Sequence, residues 1–160
     1  MLACSTPPFR AAVRLNSGVS AQSGTYGDPM NQEPCTVADL ASMDFDDSIH
    51  PRSFFDRALE VQVDDWADLD RQLVAWLARE GHLTKAKLPI HNHAKRGKYF
   101  INDAPQHSKP HFDGDWHRVG DFYVDTKYNA QSHIKNLLST LDQIGLSDPH
   151  FYLAFRTGGR

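Results

Sequence analysis

Cysteine is scarce. Cys4 and Cys35 are the only two in 160 residues. Two cysteines do not build a disulfide framework, so a reducing compartment is the default and a single disulfide in an exported product is the exception. Long apolar runs are missing as well. None approaches the roughly 18 residues that would span a membrane. A dominant charge sign is also absent: 17 Lys and Arg stand against 20 Asp and Glu, for a net charge of −3. That balance excludes a protein that coats nucleic acid over its whole surface, although it leaves room for a local basic patch. Several catalytic signatures are missing too. The chain contains no HExxH, no CxxC, no GxSxG and no Gly-rich phosphate loop.

What is present starts with a tail. Residues 1–27 carry Arg10 and Arg14 but no acid, and they are rich in Ser, Gly and Ala. A segment with so little apolar surface is expected to stay disordered. Its composition also fits an export or targeting segment, although no Sec-type apolar stretch is found in it. The expected organisation is a tail over 1–35, a single domain over 36–156 and a frayed end over 157–160. The protein is then cytoplasmic, or secreted by a non-Sec route if the tail is an export signal.

Periodicity supplies the elements. TVADLASM reads as a short helix, with Thr36 as N-cap and Asp39 completing a capping box. Pro51 is placed to start another, with Phe54, Phe55, Ala58 and Leu59 as its buried stripe. In DDWADLDRQLVAWLAREG, residues Trp66, Leu69, Leu73, Trp76 and Leu77 recur at helical spacing, and Gly81 stands where a helix stops. Leu88–His91 and Lys98–Ile101 flank the polar tip NHAKRG, the pattern of a β-hairpin. A long loop, Asp103–Gly120, follows. The last third reads strand (DFYVDTK), helix capped by Asn129 and ended by Gly145, then strand (FYLAF). Short connections of this kind predict parallel strands joined by a right-handed crossover. The expected fold is α+β: N-terminal helices, a hairpin and a C-terminal βαβ unit on one small mixed sheet.

Two stretches carry chemistry. The first is the hairpin. Gly81–Asn102 holds Lys85, Lys87, Lys95, Arg96 and Lys98 without a single acid, and Tyr99 and Phe100 place rings beside them. Cations in this arrangement suit phosphates or an acidic protein face. Arg118 and Arg156 extend the anion-binding set as possible bidentate forks. Reading of a DNA duplex is disfavoured, because the main helix carries Asp64, Asp65, Asp68, Asp70 and Glu80. A basic edge that simply discourages strand pairing explains the same residues.

The second stretch is HSKPHFDGDWH, residues 107–117, with three histidines and two aspartates. His91 and His93 are two apart and share a face if the strand continues through them. With Asp113, Asp115 and His117 they make a candidate set for one divalent metal, Zn²⁺ or Mn²⁺. Such an ion could activate water for hydrolysis. Without a metal, His107, His111, His117, Lys127 and Tyr128 make an acid–base set. Asp125, Lys127 and Tyr128 sit where a strand enters a helix, a common place for ligands. A polar strand–helix junction and a His-rich surface loop account for the same letters. His133, within the last helix, reads as a surface or boundary residue.

Two functions follow. The leading one is a small soluble binding protein that contacts nucleic acid or an acidic protein surface through the basic hairpin. The alternative is a hydrolase or lyase, metal-dependent or not, that acts on a phosphate-bearing substrate, as in a secreted effector or toxin.

Overall fold

The computed structural model describes residues 33–147 and 149–157. The expectations for the N-terminal tail fall largely outside these residues, as does most of the C-terminal end. The fold is α+β. The element order is α1 (Val37–Leu40), β1 (Ile49–Asp56), β2 (Leu59–Gln62), α2 (Trp66–Arg79), a 3₁₀ turn (Lys85–Lys87), β3 (Ile90–His91), β4 (Tyr99–Asn102), β5 (Trp116–Val119), β6 (Phe122–Asp125), α3 (Ala130–Ile144) and β7 (Phe151–Thr157). These strands form two antiparallel sheets, ordered β2-β1-β7 and β3-β4-β6-β5.

The helices begin where their caps require. Thr36 and Asp39 form the capping box of α1, Asp65 accepts from Asp68 N–H to start α2, and Asn129 accepts from Ser132 N–H to start α3. α2 packs against β1, β5, β6 and α3, so it stands between the two sheets. Its stripe of Leu69, Leu73, Val74 and Leu77 is almost wholly buried. Each such side chain contributes about 1.5–3 kcal/mol of transfer free energy. Rings fill the space under the first sheet, where Phe54 stacks on Phe151 at 5.0 Å and Trp76 meets Phe151 edge-on.

Three expectations are corrected. The stretch after Pro51 is strand rather than helix. Phe54 and Phe55 are buried as predicted, but on β1, the middle strand between β2 and β7, while Ala58 and Leu59 are exposed. A short apolar run does not by itself distinguish a buried strand from a helix. Next, the strand–helix–strand unit is not a parallel pair on one sheet. β6 is already flanked by β4 and β5 and offers no free edge. The chain therefore crosses along α3 to the other sheet, where β7 pairs antiparallel with β1. Lastly, the loop after Asn102 ends earlier than expected, because β5 forms from Trp116.

Cys35 also belongs to the packed structure rather than to a tail. It is 1% exposed, exchanges backbone hydrogen bonds with Leu153, and is disulfide-bonded. No helix among the described residues is long and apolar enough to cross a membrane.

Candidate anion-binding surface and its carboxylate hub

The expected hairpin forms, with β3 antiparallel to β4. Its tip is shaped by Asn92, whose Oδ1 accepts from Ala94 N–H and Lys95 N–H. Gly97 turns the chain with φ +82°, a conformation that strains any residue with a Cβ. Ser108 donates both its N–H and its hydroxyl to Gly97 O. That pair of bonds fastens the long loop to the hairpin tip, and the two become one surface. Lys95, Arg96, Lys109 and His111 are exposed there, and no described carboxylate pairs with them. The Lys95 ammonium lies 5.0 Å from the centre of the Phe112 ring, a cation–π distance.

The loop is held from below by Asp125. This carboxylate is fully buried at the end of β6. Its Oδ1 accepts from Asp115 N–H at 2.8 Å and Lys127 N–H at 3.1 Å. Its Oδ2 accepts from the Tyr128 hydroxyl at 2.8 Å and lies 3.7 Å from Lys98 Nζ. His107 Nε2 is 3.3 Å from the same oxygen, although it is not aligned as a hydrogen-bond donor. Tyr99 N–H donates to His107 Nδ1, which places the proton of the neutral ring on Nε2. Burial pushes the His107 imidazole below its usual range, against the pull of the neighbouring Asp125. Burial likewise pushes the Tyr128 phenol upward, and the Asp125 charge adds to that. The neutral Tyr128 hydroxyl is therefore a firm donor.

Gly114 makes this packing possible. A Cβ there would come within 2.7 Å of Trp116 Nε1 and 2.9 Å of His107 Nε2. Trp116 and Asp125 are partners across β5 and β6 and so share a face, whereas His117 partners Val124 and faces the other way. A second buried pair lies near Tyr128. His133 Nδ1 is 2.6 Å from Asp70 Oδ2, and its Nε2 donates to Tyr128 O at 3.1 Å. Burial raises Asp70 to about 6, partly offset by His133.

The expected acid–base set is thus divided. His107, Tyr128 and the backbone of Lys127 meet at Asp125. His111 is exposed on the loop and leans on Phe112. His117 lies on the opposite face, with Nδ1 3.4 Å from Arg71 Nη1 and Nε2 3.5 Å from Asp115 Oδ2. Of the candidate metal residues, Asp115 and His117 approach each other, but Asp113 pairs with Lys127 at 3.4 Å. β3 ends at His91, and His93 lies beyond it with its N–H bonded to Asn136. Burial, aided by Lys135, pushes the His93 imidazole down. Among the described residues no three His, Cys, Asp or Glu side chains gather as an ion site.

The anion-binding set is divided as well. Lys95, Arg96 and Lys98 belong to the hairpin and hub. Lys85 is exposed in the 3₁₀ turn, and Lys87 donates to Ile144 O at the end of α3. Arg118 Nε donates to Gly120 O within its own turn. Arg156 lies on the other sheet, reaching toward Asp64 O. Sequence reasoning missed Gly114, Trp116 and Arg71, and misread His133, which is buried rather than at the surface. The last error had a visible signal. His133 and Asp70 both fall on the apolar stripes of their helices, where a polar residue needs a partner.

No family model matches the chain, and neither a curated protein nor a solved structure matches it.

Proposed function

We propose that this protein binds an anionic partner through the joined surface of the hairpin tip and the 103–115 loop. The observation that carries this reading is the pair of hydrogen bonds from Ser108 N–H and hydroxyl to Gly97 O, which sets Lys95, Arg96, Lys109 and His111 together on an ordered platform. Asp125 supports that platform by taking the buried donors beneath it, so the surface is organised before a partner arrives. Preorganisation lowers the ordering cost of binding.

The hub itself favours support over catalysis. His107 has its Nδ1 lone pair filled by Tyr99 N–H and its side chain fully buried. The hydrolase or lyase reading, with or without Zn²⁺ or Mn²⁺, stands behind the binding reading for that reason. Of the two compartments, we propose export to an oxidising one, because disulfides such as that at Cys35 persist there.

Heparin chromatography tests the binding. A protein of net charge −3 is retained by heparin at neutral pH only through a local cationic patch. The wild type should be retained at low salt. A Lys95→Glu/Arg96→Glu/Lys109→Glu variant should flow through with an unchanged melting temperature. Passage of the wild type through the column, or retention of the triple variant, contradicts the proposal.

A further inference from the structure

Rings accompany the cations of this surface in an unbroken series. His91 meets Tyr99 at 5.6 Å between centroids, Tyr99 meets His107 at 6.4 Å, and His107 meets both Trp116 at 4.7 Å and Phe112 at 6.2 Å. Phe112 then meets His111 at 4.6 Å. The ends of the series, His91 and His111, are exposed, and Tyr99, Phe112 and Trp116 are half-buried. His107 is buried in the middle and locks the others in place. Lys95 lies over Phe112, and Arg96 and Lys109 stand exposed on the tip and loop that carry these rings.

We infer that the anionic partner is a single-stranded nucleic acid, whose bases stack on the exposed parts of this band while its phosphates meet the cations. The inference rests on the anion-binding reading above and adds the partner's class. Single strands are bound by aromatic platforms set in basic surroundings, since every base has a face to stack. An acidic protein needs the cations but not the rings. A duplex hides its base faces and is read by a helix in a groove. The helix that packs on the hairpin, α3, is tied to its backbone by Asn136 and Gln143, which accept from His93 N–H and His91 N–H, rather than standing free to enter a groove.

The test is fluorescence anisotropy with three labelled probes: a 12-nucleotide single strand, the matching duplex, and poly-glutamate of similar charge. The single strand should bind at least ten times more tightly than either of the others. Phe112→Leu keeps the apolar volume and removes the ring. It should weaken single-strand binding about 5- to 150-fold, the range of one lost stacked base, and weaken duplex and poly-glutamate binding far less, through the lost Lys95 cation–π contact alone. His111→Ala, at an exposed position, should act in the same direction without risk to the fold. Equal binding of single strand and duplex overturns the inference, as does tighter binding of poly-glutamate, and in both cases anion binding stands. Unchanged affinity in both variants also overturns it. If the wild type binds none of the three probes, the anion-binding reading itself fails.

Discussion

Asp125→Asn is the perturbation that most sharply tests the support beneath the surface. The amide keeps an oxygen for the backbone N–H groups of Asp115 and Lys127. It replaces Oδ2 with a donor, which faces the Tyr128 hydroxyl, Lys98 Nζ and His107 Nε2. Three donors then confront a donor. A hydrogen bond to a charged acceptor is worth about 1.5–3 kcal/mol, and breaking a buried ion pair costs about 3–5 kcal/mol. The Tyr128 hydroxyl can rotate, and Lys98, 16% exposed, can reach water. The expected loss is therefore near the lower bound, about 3 kcal/mol. Urea unfolding reads this directly. With a slope of about 2 kcal/mol per molar, the midpoint falls by about 1.5 M. Asp113→Asn is the control, because Asp113 is 84% exposed and its pairing with Lys127 is screened by solvent. It should shift stability by less than about 0.5 kcal/mol. If Asp125→Asn shifts it no more than the control does, Asp125 is not the hub.

Gly114→Ala should cost about 1–3 kcal/mol in the same assay, because the new methyl meets Trp116 Nε1 and His107 Nε2 at less than 3 Å. An unchanged midpoint would mean that the loop yields freely. Asp70→Asn tests the other buried pair through pH. Folded Asp70 holds its proton up to about 6, above the ordinary aspartate value of 3.8, so the folded state binds more protons between these limits. Its contribution to stability is full below about pH 4 and is lost as the pH rises to 6. Relative to wild type, Asp70→Asn should therefore gain stability across that interval, by up to about 3 kcal/mol. A difference that does not change between pH 4 and 7 refutes this. Thiol titration of the oxidised protein in denaturant should find Cys35 unreactive, since it is disulfide-bonded. Two thiols per chain would contradict the disulfide at Cys35 and remove the argument for export.

The legible parts of the fold were those specified locally. The capping box at Thr36 and Asp39, the stripe of α2, the Asn129 cap and Gly145 all depend on residues within a few positions of one another. The β3–β4 hairpin is local too. Sheet assignment was not legible, because it depends on which edges are free. β6 has both edges taken by β4 and β5, and nothing within DFYVDTK announces that. The candidate site shows the same division. The basic hairpin and the His-rich loop were both visible as stretches, but their union through Ser108 and Gly97 spans eleven residues and involves a backbone carbonyl. In the sequence Asp125 stands only as part of a strand–helix junction. Its role comes from the donors at positions 115, 127 and 128 and from the ammonium and imidazole at positions 98 and 107, which only the folded chain brings together.

The most direct measurement is a backbone amide NMR titration of the wild-type protein with the 12-nucleotide single strand. Shifts confined to residues 91–99 and 107–117, growing with the strand and fading with added salt, are the predicted result. Shifts centred on the β2-β1-β7 sheet, or none at saturating strand, would contradict the placement of the binding surface.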